Sequence, residues 1–175
     1  MQVGVSFGET SELLCNIIEK LNKQKIGSRI GLIVAIPRGG CYTAVRLSHQ
    51  FALSNSDGPE VIFFDPRKSS GKELLKEVTK KIKKCVADGK EVVWVDDIIC
   101  SGKTLNATQK FMDEHIGSRK GQTFVALYRR KRVKIEKSEL KIVYGARVCH
   151  NYWFKFFWEA KINAGHYQIP VYSFS

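Results

Sequence analysis

No run of this chain is apolar for long enough to cross a bilayer, and its polar, glycine-broken opening residues do not resemble a secretory signal. The expectation is a cytoplasmic protein with no membrane partner. Paired cysteines are also missing. The five present, Cys15, Cys41, Cys85, Cys100 and Cys149, are widely spaced, odd in number and without metal-type spacing. That pattern argues against a disulfide framework or a zinc site and predicts free thiols in a reducing compartment. Acidic residues are scarce beside basic ones, 17 against 29, which leaves a formal net charge of +12. Such an excess suits a polyanionic substrate and would equally suit nucleic acid. A nucleotide-triphosphate P-loop is excluded as well. The Gly102-Lys103-Thr104 triplet invites that reading, but the motif needs glycine five residues earlier, where Asp97 stands.

What the chain does contain is organised around residues 91–105, EVVWVDDIICSGKTL. Val92 to Val95 form a short, uninterrupted β-branched and aromatic run, as expected of a strand buried on both faces of a parallel sheet. Asp96 and Asp97 follow at its carboxyl end, then a small polar turn, Cys100-Ser101-Gly102-Lys103-Thr104. Leu105, Thr108, Phe111, Met112 and His115 recur at helical spacing beyond it. In open α/β sheets the ligand crevice lies outside the carboxyl ends of the strands. A hydroxyl-rich turn opening a helix offers N–H groups and a positive dipole end to a phosphate. Carboxylates beside such a cradle suit hydroxyls or a divalent cation. Together these residues predict a sugar-phosphate site.

The rest of the chain fits one α/β domain of 175 residues. Thr10 or Ser11 is expected to cap a first helix carrying Leu13, Leu14, Ile17, Ile18 and Leu21 to Gly27. Ile30 to Ile36 reads as a strand, followed by Pro37-Arg38-Gly39-Gly40 and a helix beginning near Tyr42. The two glycines permit close backbone approach to a ligand, and Arg38 adds donors suited to phosphate. Val61 to Phe64 is a third strand, and Asp65 to Gly71 a basic loop. A helix with Leu74, Leu75, Val78, Ile82, Cys85 and Val86 on one face carries Lys72, Lys76, Lys80, Lys81, Lys83 and Lys84 on the other. That lysine face is expected to be solvated, nucleic-acid contact being the sharper alternative. Thr123 to Tyr128 and Lys141 to Val148 read as further strands, with the basic run Arg129 to Arg132 after the first. Residues 150–159, HNYWFKFFWE, are dense in aromatics, which suits a hydrophobic plug, a dimer interface or a base-stacking lid.

Four apolar residues, two acidic, two apolar, one variable and then Ser-Gly-Lys-Thr resembles the phosphoribosyl-diphosphate (PRPP) signature of the type I phosphoribosyltransferases. Pro37-Arg38-Gly39-Gly40 is similar to their pyrophosphate loop, and the wider pattern resembles the bacterial xanthine-guanine and hypoxanthine group. The resemblance implies a parallel twisted sheet flanked by helices in a single domain over 1–175. The core would span about 28–130, and a small hood about 130–175 together with the N-terminal segment. It implies transfer of the 5-phosphoribosyl group from PRPP to a purine base (guanine, xanthine or hypoxanthine) in purine salvage, with Mg²⁺. Asp96 and Asp97 would hold ribose hydroxyls and hydrated metal. Cys100, Ser101, Gly102, Lys103 and Thr104 would surround the 5′-phosphate, while Arg38, Gly39 and Gly40 take the pyrophosphate. Arg130 (or Lys131) would read the purine oxygen, Trp153 stack on the ring, the backbone at Phe154 read its edge, and Glu159 join Asp97 at the metal. Arg67 and Lys68 would belong to a loop closing over the reaction centre. The family habit implies a homodimer or homotetramer.

Three departures stand out. Cys100 occupies a position normally held by an aspartate proposed to handle the proton at purine N7, and a neutral thiol is a weak donor and acceptor. Arg130 replaces the usual lysine, and Glu159 the usual aspartate. The PRPP half is therefore intact and the base half altered. Two alternatives follow: a transferase for another nitrogen heterocycle, or a regulator that binds PRPP or nucleotide together with nucleic acid.

Overall fold

The computed structural model describes residues 2–53, 58–68, 71–133, 140–149 and 153–159. In chain order its elements are β1 (Gln2–Val5), α1 (Phe7–Lys23), β2 (Ile30–Ala35), α2 (Gly40–Ala52), β3 (Glu60–Phe63) and α3 (Lys72–Ala87). There follow β4 (Glu91–Ile99), α4 (Lys103–Phe111), a π-helical turn (Met112–Ile116), β5 (Gln122–Arg130), β6 (Lys141–Val148) and β7 (Trp153–Phe156). One 3₁₀ turn (Gly27–Arg29) precedes β2 and another (Phe157–Glu159) closes the described chain.

Five strands form one parallel sheet in the order β3-β2-β4-β5-β6. Its central strands are apolar on successive residues because both faces are covered. In β4, Val93 and Val95 pack with the side chains of α1 and α2, whereas Val92 and Trp94 join those of α3 and α4 on the opposite face. Helix α1 offers Leu13, Leu14, Ile17 and Leu21 to the first layer, and α3 offers Val78, Ile82 and Cys85 to the second. Burial lifts the Cys85 thiol to about 11, so it remains a neutral core residue. All five cysteines are free.

The strand order fixes where a ligand crevice belongs. From β2 the chain moves outward to β3, then returns past β2 to β4 and continues through β5 to β6. The carboxyl ends of β2 and β4 therefore flank a topological switch point, the usual crevice of open α/β sheets. The predicted parallel sheet with flanking helices is what the chain forms. A separate parallel pair, β1 with β7, joins the two ends of the chain, and sets Val5 and Phe156 into the α1/α2 layer.

Several boundaries differ from expectation. Helix α1 starts at Phe7 because Ser6 caps it, its hydroxyl accepting from the Glu9 N–H at 3.2 Å. Thr10 and Ser11 instead donate to the carbonyls of Ser6 and Phe7 inside the first turns. Helix α2 begins at Gly40 rather than near Tyr42. Strand β4 runs on through the acid pair, since Asp96 still pairs with Ala126 and Ile98 with Tyr128. On the solvated face of α3, Lys81 pairs with Glu60 and Lys84 with Asp88, both at 2.7 Å. Exposed pairs of this kind add little stability. No helix among the described residues is long and apolar enough to cross a membrane.

Candidate active site

Beyond the carboxyl ends of β2, β4 and β5 opens a cleft of about 440 Å³. It gathers residues from six parts of the chain. Arg38 and Gly39 come from the turn after β2, and Asp96 and Asp97 from the end of β4. Cys100 and Ser101 come from the turn before α4, Lys103 and Thr104 from the start of α4, and Arg130 from the end of β5. Trp153, Phe154 and Glu159 reach it from the β7 segment, and Arg67 from the turn after β3. Two expected members do not line it. Gly102 lines a smaller niche of about 40 Å³ formed by residues 98–105 with Asp96 and Phe124, and Gly40 lies buried beneath the β2 turn. Lys131 is exposed and lines neither cavity, so Arg130 is the cation the fold brings in.

The glycines follow from geometry. A Cβ on Gly40 would collide with the carbonyl oxygen of Val95, so α2 can start this close to β4 only without a side chain. A Cβ on Gly39 would collide with the Asp97 carboxylate, which brings the turn backbone directly against the acid pair. Gly102 has φ +83°, a left-handed conformation that turns the chain from β4 into α4. The first N–H groups of α4, which have no helical partners, belong to residues lining the niche, and that of Lys103 donates to Ser101 Oγ at 3.4 Å. The Pro37–Arg38 peptide is cis.

Electrostatics single out the carboxylates. Asp96 is 8 % exposed, and burial, reinforced by the charge of Asp97, pushes its carboxyl up to about 7. The Asp97 N–H donates to Asp96 Oδ1 at 3.0 Å, and Arg67 pulls in the opposite direction. Asp97 is raised too, by burial first and also by the negative charge of Glu159. Glu159 is held by the Phe156 N–H, which donates to its Oε2 at 3.1 Å. Among the described residues no group of three or more His, Cys, Asp and Glu could hold a metal with protein ligands alone. Two mutually repelling carboxylates with hard oxygens nevertheless fit Mg²⁺, which keeps several waters and takes one or two carboxylates plus substrate phosphates.

The aromatic segment divides its work. Phe156 is 1 % exposed and stacks on Trp158 at 4.5 Å, and Trp158 stacks on Tyr42 at 4.8 Å, so this part plugs the α1/α2 layer. Phe154 stacks on Tyr128 at 4.7 Å, and the Tyr128 hydroxyl donates to Glu9 of α1. Among the described aromatic residues of the segment, Trp153 alone stays open, 69 % exposed at the cleft. His150, Asn151 and Tyr152 lie outside the described residues.

The turn after β3 carries the expected cationic residues and, in addition, an anchor that its basic composition does not reveal. Asp65 is buried and grips Arg67 in a bidentate pair, with Nε donating to Oδ1 at 2.8 Å and Nη2 to Oδ2 at 2.9 Å. The signal was present as Asp-x-Arg immediately after a strand, where an Asx-type turn can form.

A model of the phosphoribosyl transferase domain matches residues 10–163. The chain belongs to the phosphoribosyl transferase domain family. Solved structures share its fold. A purine phosphoribosyltransferase from Pyrococcus horikoshii is 21 % identical with a TM-score of 0.59, covering 91 % of this chain and 95 % of that one. The xanthine-guanine-hypoxanthine phosphoribosyltransferase of Helicobacter pylori is 17 % identical with a TM-score of 0.57, covering 94 % and 96 %. A hypothetical protein from Neisseria gonorrhoeae, solved with bound ppGpp, is 16 % identical with a TM-score of 0.62, covering 93 % and 92 %. At these identities the likeness establishes fold. No curated protein matches the chain significantly.

Proposed function

We propose that this phosphoribosyltransferase moves the 5-phosphoribosyl group from PRPP to a ring nitrogen of a 6-oxopurine, releasing pyrophosphate. One observation carries the reading. The acid pair, the hydroxyl-rich turn, the Arg38-Gly39 turn, Arg130 and an exposed tryptophan all border a single cleft. Ser101, Gly102, Lys103 and Thr104 bind the 5′-phosphate through backbone N–H groups, hydroxyls and the positive end of α4. Asp96 and Asp97 hold the ribose hydroxyls and so orient the anomeric carbon. Arg38, with the backbone of Gly39, takes the departing pyrophosphate. Trp153 stacks on the base, Arg130 donates to its exocyclic oxygen, and the backbone at Phe154 reads its edge.

Departure of pyrophosphate leaves oxocarbenium character at the sugar, as in other glycosyl transfers. In their ionised form, Asp96 and Asp97 stabilise that charge, and the two substrates are held in line. Asp97 and Glu159 would hold Mg²⁺, which would supply charge neutralisation for the diphosphate. No protein nucleophile is needed.

The reading is tested by incubating the protein with Mg²⁺, PRPP and each of guanine, xanthine and hypoxanthine, then assaying nucleoside monophosphate and pyrophosphate. No product with any of the three bases refutes it. A second reading is favoured by Cys100, a half-buried residue that lines the cleft with a thiol at the position where the resembled signature implies an aspartate. Under it the acceptor is another nitrogen heterocycle that needs no carboxylate partner, and product forms only with such bases.

A further inference from the structure

Asp65 has no part in the chemistry above, yet it controls a cation at the cleft mouth. It follows β3, its side chain is 6 % exposed, and it takes three bonds from one residue. Besides the bidentate pair, the Arg67 backbone N–H donates to Oδ1 at 3.0 Å. The guanidinium gripped in this way spans two separate ligand-side turns. Its Nη1 donates to Thr104 Oγ1 at 3.1 Å, and its Nη2 to the Pro37 carbonyl at 3.4 Å. The Arg67 side chain is 43 % exposed and lines the cleft.

An ordinary surface pair has two mobile partners and little directional consequence. Here the carboxylate is fixed by burial and by a backbone bond, so the planar fork of arginine inherits a defined orientation. Asp65 occupies the Nε and Nη2 edge, which leaves the Nη1 edge turned toward the phosphate turn. The charges of Asp96 and Asp97 also favour the cationic guanidinium, after the dominant bond from Asp65.

We propose that Asp65 is a positioning residue that holds Arg67 across the cleft, with its Nη1 edge set to meet a phosphoryl oxygen lying between the 101–104 and 37–39 turns. The inference rests on the phosphoribosyl reading above. An arriving phosphate displaces or shares the Thr104 hydroxyl, while the Asp65 grip stays. Lys68, the neighbouring cation of the same turn, has no such anchor in the contacts described.

The test is calorimetric titration of PRPP with Mg²⁺ into the unaltered chain, Asp65→Asn, Arg67→Ala and the double variant, alongside KM for PRPP and for base. Asp65→Asn is expected to weaken PRPP about tenfold, the loss that follows when a charge-assisted bond is no longer aimed. Arg67→Ala should lose at least as much, and the double variant no more than Arg67→Ala, because the two residues act as one unit. KM for the base should not move, whereas a merely structural role for Asp65 would shift both KM values together. PRPP binding to Asp65→Asn at the unaltered affinity, or single effects that multiply in the double variant, overturns the proposal. If Asp65→Asn does not fold, Arg67→Lys keeps the charge and loses the fork. Unaltered affinity in that variant is equally fatal. Failure of the unaltered chain to bind PRPP removes the phosphoribosyl reading and this inference together, an outcome distinct from the others.

Discussion

Replacing Asp96 by Asn should make the ligand-free protein more stable while disabling it. The change preserves shape, and the new amide oxygen can keep the bond from the Asp97 N–H. What disappears is a carboxylate 8 % exposed whose pKa rises from an ordinary 3.8 to about 7, through burial first and then the charge of Asp97. Below about pH 4 this carboxyl is protonated in both folded and unfolded chains and costs nothing. Between pH 4 and 7 the unfolded chain gives up the proton while the folded one retains it, so stability falls as pH rises. Above pH 7 the full penalty is present. Each pKa unit is worth about 1.4 kcal/mol, which sets an upper limit of roughly 4 kcal/mol at pH 8. Part of that relaxes through neighbouring groups, so a gain of about 2 kcal/mol is expected. For a chain of this size that corresponds to a rise in Tm of roughly 4–8 °C. Calorimetric melting of both proteins at pH 4.5 and pH 8, without metal or PRPP, measures it. The advantage of Asp96→Asn should shrink several-fold at pH 4.5. A gain that is equal at both pH values, or a loss at pH 8, refutes the electrostatic account of the acid pair.

Two further substitutions separate architecture from chemistry. Gly40→Ala drives a methyl into the Val95 carbonyl oxygen and should destabilise by about 1–3 kcal/mol, read as a lower Tm, because backbone rather than a flexible side chain must give way. Trp153→Ala removes a side chain that is 69 % exposed, so Tm should stay nearly constant. Loss of base stacking, about 1–3 kcal/mol, should raise KM for the base by roughly 5- to 150-fold with KM for PRPP unchanged.

Much of this molecule was legible in its sequence, for reasons that can be named. The sheet strands betray themselves because residues such as Val92 to Val95 are buried on both faces and so must be continuously apolar. The phosphate turn is legible because its chemistry is local, a glycine at positive φ between hydroxyls at the start of a helix. Strand ends were less clear. The acid pair looks like a break, yet its backbone goes on pairing with β5. Strand β1 could not be read at all, since only four residues form it and their partners lie at 153–156. The roles of Arg130, Trp153, Phe154 and Glu159 came from family register, because residues distant in sequence meet only after folding. The Asp65–Arg67 grip escaped notice for a related reason, since a basic loop signals solvent until its carboxylate is known to be buried.

Titration of PRPP into the protein, with and without Mg²⁺ and without any base, tests the central claim most directly. The account predicts one PRPP bound per chain, tighter with Mg²⁺, and no measurable binding once Asp96→Asn and Asp97→Asn are combined. A folded unaltered protein that takes up no PRPP, or a double variant that binds it as well as the unaltered chain, contradicts the account.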